Sequence, residues 1–165
     1  MLFYIKKITG PVYPFLVFLL IAVILLFLSR LGLSIWQFDR VSAADGWLPV
    51  MLQGLRVDVA TIIMMVGVVA LFSIFLSGTG IIGRVWNKVA RVWLSFSLTL
   101  LIFMELATPQ FIIEYGFRPN RLFVEFLSYP KEVFSMLFRG HLLMMGLCLA
   151  GIGVSFWAGW RIFGK

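Results

Sequence analysis

Four long apolar stretches set the rhythm of this chain. They lie at residues 12–33, 54–77, 92–111 and 142–162, with the polar positions gathered between them. About 20 helical residues at about 1.5 Å each match a hydrocarbon core of about 30 Å, so each stretch predicts a helix that crosses a membrane. The first, VYPFLVFLLIAVILLFLS, is apolar on every side and has no stripe of small residues, which predicts a helix facing lipid over much of its surface. Arg30, near its far end, is expected to reach out to the headgroups. The second stretch opens with GLRVDVATII, placing Arg56 and Asp58 in its first turns. Two residues apart on a helix, they point to different sides and are not expected to pair with each other. Charges at that depth face protein or water, so they mark either a polar site at the outer end of the bundle or separate pairings with another helix or the interface.

Between the stretches the pattern changes character. Residues 37–53 read as a first loop, with Trp36 and Trp47 at its ends where interfacial aromatics belong. Residues 78–91, GTGIIGRVWNKVAR, read as a second loop. GTGIIG has no strand before it and so lacks the context of a nucleotide loop. Arg84, Lys88 and Arg91 share one helical face, which reads as an amphipathic start to the third span. Ser95, Ser97 and Thr99 within that span are expected to bond back to their own helix. In the fourth stretch Gly151, Ser155 and Gly159 recur every four residues, a small-residue stripe that lets another helix approach closely.

The segment between the third and fourth spans is the most heavily charged part of the chain. From Glu105 to His141 it holds four of the seven acids (Glu105, Glu114, Glu125, Glu132) and three of the six prolines. Pro109 discourages continuation of the third helix, and Gly116 and Pro119 break the chain again. From Asn120, RLFVEFLS predicts a short helix with Leu122, Phe123, Phe126 and Leu127 on one face. Pro130 and Glu132 suit the first turn of a second, with Val133, Phe134, Leu137 and Phe138 on its apolar face. Each is too short to span, so residues 112–140 are expected to lie in the interface plane. Arg118, Arg121, Lys131 and Arg139 could meet lipid phosphates, and Glu114 and Glu125 could bind headgroup hydroxyls or orient the arginines. The alternative is a set of ion pairs that only fixes the segment.

Composition agrees with the pattern. The chain of 165 residues is 62% hydrophobic and 13% charged, with mean hydropathy +1.04; a soluble domain is about half apolar and roughly a quarter charged. This is the composition of an integral membrane protein with one all-helical domain over residues 1–165. Lys6 and Lys7 before the first span resemble a signal peptide, but the apolar run is longer than a cleavable core and no small-residue cleavage pattern follows promptly, which predicts a retained anchor. The net charge of +7 reflects topology, and no nucleic-acid partner is expected. One side of the four-span arrangement carries Lys6, Lys7, Arg84, Lys88, Arg91, Arg161 and Lys165 with no acid, and the other carries every acid with an equal number of cations. Lys and Arg alone therefore do not decide orientation, but the pair beside the first span predicts both termini in the cytoplasm. A single cysteine, Cys148, excludes an intrachain disulfide. Four spans without an internal repeat argue against a transport pathway.

The run EYGFRPNRLFVEFLSYPKEV, following ELATPQF, resembles the segment between the third and fourth spans of the lipoteichoic acid synthase-like phosphoglycerol transferases, a group of the alkaline phosphatase/sulfatase superfamily. GLRVDVA is similar to that family's pattern at the head of span two. The resemblance covers about residues 52–139. It implies the inner membrane of a bacterium, five spans, and an extracytoplasmic catalytic domain with a threonine nucleophile and a divalent metal such as manganese, which takes a phosphoglycerol or phosphoethanolamine group from a phospholipid. The fifth span and that domain are not in this sequence, so no catalytic residue or metal ligand is carried over to it and no cofactor is expected in it. The expectation is a membrane module, non-catalytic as it stands, from a truncation, a split gene or a fragment. Its partners would be a membrane phospholipid such as phosphatidylglycerol and a catalytic domain or helix supplied in trans. The alternative is a non-enzymatic scaffold or subunit that binds a partner through Gly151, Ser155 and Gly159.

Overall fold

The structure, a computed structural model, describes residues 10–78, 80–116, 118 and 142–164. Every regular element among them is helical. A 3-10 turn, Gly10–Val12, leads into α1 (Tyr13–Trp36). There follow a six-residue α2 (Phe38–Ala43), then α3 (Trp47–Leu76), α4 (Ile81–Tyr115) and α5 (Leu142–Ile162). Three helical segments, Gly10–Trp36, Trp47–Leu76 and Ile81–Ile113, are long and apolar enough to cross a membrane.

The helices are longer than the apolar pattern predicts. Most of the expected first loop is helical, since α2 and the first turns of α3 occupy it. Pro49 is tolerated there because the first turn of a helix has no partner for its N–H in any case. The remaining bend is held by the Trp47 indole, which donates to Ser42 Oγ at 3.1 Å and packs on Phe38 with ring centroids 5.6 Å apart. The expected second loop also shrinks, because α4 starts at Ile81, directly after the glycine-rich break. Gly83 is required here, as a Cβ on it would overlap the backbone of Gly78.

Pro109 does not end the third helix. α4 runs six residues past it and stops at Gly116, whose φ of 78° is the left-handed conformation that glycine adopts freely and whose N–H bonds to the Ile112 carbonyl at 2.9 Å. The physical reason is the solvent: in lipid an unravelled backbone leaves every polar group unpaired, whereas a proline in a helix frees only one carbonyl. Thr108 adds a hydroxyl bond to the Met104 carbonyl at 2.7 Å in the same turn. Residues 112–115, expected in the interfacial segment, therefore belong to α4. The two expected amphipathic helices fall outside the described residues.

Packing follows one face of each helix. α1 buries Phe15, Phe18, Ala22, Leu26, Arg30 and Ser34, a stripe with three- and four-residue steps, and α3 buries Asp58, Ile62, Val66 and Ser73. α4 is the central element, packing on α1, α3 and α5. Leu94, Leu98 and Leu101 of α4 complete the apolar core with Phe18, Ala22 and Ile62. Two tryptophans bind α4 to α3: Trp93 donates to the Met65 carbonyl at 3.0 Å, and Trp86 to Ser73 Oγ at 2.8 Å. Outward positions are apolar as well, with Met64 and Phe75 80% and 78% exposed. In water such a surface would drive association; in a bilayer it is the side that meets acyl chains.

The small-residue stripe of α5 faces α4 of the same chain. A Cβ at Gly159 would lie 3.0 Å from Ser95 Cα, and one at Gly151 would lie 3.2 Å from Leu106 Cδ1. Ser155 is buried, its hydroxyl donating to the Gly151 carbonyl. On α4, Ser95 and Thr99 bond back to the carbonyls of Arg91 and Ser95, at 2.9 and 2.8 Å. Ser97 departs from that expectation: its hydroxyl is buried and has no partner among the described residues.

Candidate functional site

The charged residues that the spans bury, Arg30 and Asp58, lie toward one end of the bundle, where α1 ends, α3 begins and α4 ends. This will be called the far end, and the opposite end, which carries Gly10 and Phe163, the near end. At the far end Arg30 is not directed to the headgroups. It is 6% exposed, and its Nη2 donates to Asp58 Oδ1 at 2.6 Å. The expectation of a snorkelling arginine fails because a partner lies nearer than the interface: Asp58, on the buried face of α3, offers a carboxylate inside the bundle. A lone charge on either helix would be costly in lipid, whereas the two together are a neutral pair. Gly54, one turn before Asp58, makes the pairing possible. A Cβ there would overlap the guanidinium of Arg30, so the arginine crosses α3 over a bare backbone.

A second charged pair sits on the neighbouring helices. Glu105 of α4 accepts hydrogen bonds from Ser29 of α1 and from Arg118, whose Nη2 lies 3.0 Å from each carboxylate oxygen. Successive residues Ser29 and Arg30 thus engage different helices, α4 and α3. Arg40, following α1, donates to the Gly116 carbonyl at 3.1 Å, a second tie to the chain just beyond α4. The four charges of the two pairs sum to zero, so the pairs fasten the chain. Two of their atoms, Arg30 Nη1 and Asp58 Oδ2, are buried without a partner among the described residues. One is a donor and the other an acceptor, so a single water or hydroxyl that accepts from the first and donates to the second would satisfy both.

Of the residues singled out from sequence, the structure brings Asp58 and Arg118 to this end of the bundle. Arg56 is exposed, on a different side of α3 from Asp58. Glu114 lies in the last turn of α4, its side chain outside the described residues, and Arg121, Glu125, Lys131 and Arg139 lie outside them altogether. Four residues of the cluster were not singled out as site residues: Ser29, Arg30, Gly54 and Glu105. A signal for Arg30 was present, since it is the only charge within the first span and keeps four-residue register with Leu26 and Ser34. Its match to Asp58 follows only from the antiparallel placement of α1 and α3.

Among the described residues no three His, Cys, Asp or Glu side chains are placed to hold a metal ion. No protein-family model matches the chain. No solved structure matches it.

Proposed function

We propose that this chain is the membrane-anchoring, lipid-facing module of a lipoteichoic acid synthase-like phosphoglycerol (or phosphoethanolamine) transferase, and that it is non-catalytic by itself. In this reading α5 is a fourth span, both termini are cytoplasmic, and residues 117–140 form the interfacial segment outside a bacterial inner membrane. The observation that carries it is the Arg118–Glu105 pair. It ties Arg118, the second residue of FRPNRLFVEFLSYPKEV, the run most like that family, to Glu105 at the far end of an apolar bundle. A segment so tethered is held at one level of the bilayer, where Arg121, Lys131 and Arg139 meet lipid phosphates. Arg118 contributes mainly as the tether. Its side chain is 40% exposed, and the nitrogens not used by Glu105 remain for a headgroup.

The test uses the full chain, purified and delipidated in detergent, with phosphatidylglycerol added back and retained lipid counted by native mass spectrometry. Arg118→Ala/Arg121→Ala should retain several-fold less lipid than wild type. Equal retention would assign these arginines to ion pairs that merely fix the segment. The scaffold reading, with a partner recruited through Gly151, Ser155 and Gly159, has less support, because α4 of the same chain already occupies that stripe.

A further inference from the structure

At the near end the bundle carries a half-open cavity of about 360 Å³, within the range of small-ligand sites. Helices α1, α3 and α4 and the end of α5 all contribute to it. Its polar wall consists mainly of donors: Tyr13, Asn87, Lys88 and Arg91. Asn87 Oδ1 is already used, accepting from Ser77 Oγ at 2.9 Å, which leaves its NH2 to donate. Arg91 is fixed in place. Its Nε donates to the Trp160 carbonyl at 2.9 Å, its Nη2 donates to the same oxygen, and its guanidinium carbon lies 3.9 Å from the centre of the Trp160 ring. Gly164 leaves room for that guanidinium, where a Cβ would overlap it. Lys88 has no acidic partner among the described residues.

Among the described residues no acid lines the cavity. Every acid of the described chain lies on the loops and helix ends of the far end: Asp39, Asp45, Asp58, Glu105 and Glu114. The described lining is therefore positive, with low-dielectric walls that strengthen its field. The opposite wall is apolar, built by Phe15, Leu94 and Phe163. Donors and cations on one side and aromatic and aliphatic carbon on the other, at the end of helices long enough to cross a membrane, match an amphiphile with a phosphate.

We propose that this cavity binds the phosphate of an anionic phospholipid, with Lys88, Arg91 and Asn87 as donors. The site lies at the end of the bundle opposite the Arg118 tether and does not depend on the function proposed above. The shared chemistry is a phosphate monoanion, which a lipid headgroup or free phosphate could supply, and the experiment separates them.

Native mass spectrometry of the delipidated full chain would compare phosphatidylglycerol, phosphatidylcholine and inorganic phosphate as probes. Phosphatidylglycerol should be retained over phosphatidylcholine, whose choline cation meets Lys88 and Arg91. Lys88→Gln should lower the affinity for phosphatidylglycerol about tenfold with the melting temperature unchanged; Asn87→Leu should lower it as well, and also gives up the bond from Ser77 Oγ. Arg84→Gln removes the same charge from the same helix but lies outside the cavity, and should retain lipid as wild type does. Equal losses in the Arg84 and Lys88 variants would overturn the site in favour of general surface attraction, as would equal retention of the two lipids. Displacement of phosphatidylglycerol by inorganic phosphate would keep the phosphate contacts and overturn the lipid as their source. The losses in the Lys88 variant and in Arg118→Ala/Arg121→Ala should add when the substitutions are combined, and a loss in the Lys88 variant alone would leave this site standing while the far-end reading falls.

Discussion

Gly54 provides the space that the guanidinium of Arg30 occupies on its way to Asp58. A glycine on one helix thereby decides whether an arginine on another is buried or solvated. The consequence is a neutral pair inside the bundle where two isolated charges would otherwise have to find water.

Gly54→Leu should therefore act as a loss of the ion pair. Removing one partner of a buried pair costs about 3–5 kcal/mol in soluble proteins, and in membranes the value falls because alternative partners exist before folding. We expect Gly54→Leu and Asp58→Leu to lower the thermal midpoint in detergent by similar amounts. Arg30→Met/Asp58→Leu should recover most of the loss, since it removes both charges together. A double variant as unstable as the singles would contradict a paired role.

The contact between Gly159 and Ser95 predicts a graded effect along α5. At Gly159 a new side chain meets the backbone of α4, which cannot move aside, whereas at Gly151 it meets the end of the flexible Leu106 side chain. Gly159→Val should lose about 1–3 kcal/mol through overpacking, and Gly151→Ala less than about 1 kcal/mol. Thermal unfolding followed by circular dichroism reads both.

Release of the Glu105–Arg118 tether should be visible to a protease. Glu105→Ala should speed trypsin cleavage at Arg121 several-fold in reconstituted vesicles, and Glu105→Gln, which keeps an acceptor, should do so less. An unchanged rate in both would show that the tether does not hold the segment. Ser29→Ala tests the second hydrogen bond of the same carboxylate and should have the smallest effect.

Ser97 predicts a gain. Its hydroxyl is buried without a partner among the described residues, and an unpaired buried polar group costs about 1–3 kcal/mol. Ser97→Ala should leave stability unchanged or raise it by up to about 1 kcal/mol. Ser95→Ala, which gives up only a bond within its own helix, should be neutral. A marked loss in Ser97→Ala would mean that the hydroxyl meets a water or lipid oxygen.

The sequence by itself determined that the chain is helical and apolar enough for a membrane, because in lipid the backbone can be satisfied only locally and the period and length of apolar runs are local properties. It located the break at Gly116 for the same reason, since a left-handed residue needs no distant partner. It misplaced the ends of α3 and α4 because interfacial turns and a proline are judged against the alternative of unpaired backbone, and that alternative depends on depth in the bilayer. Only the tertiary structure decided that Arg30 meets Asp58 over Gly54, that Ser29 and Arg118 share Glu105, and that Lys88 and Arg91 border one cavity. Arg30–Asp58 and Ser29–Glu105 join residues 28 and 76 positions apart, Arg118 lies beyond the end of the helix that carries Glu105, and Lys88 and Arg91, neighbours on α4, gain a cavity only from the walls that α1, α3 and the end of α5 supply. These relationships follow from which faces of four helices turn toward one another, and no single helix carries that information.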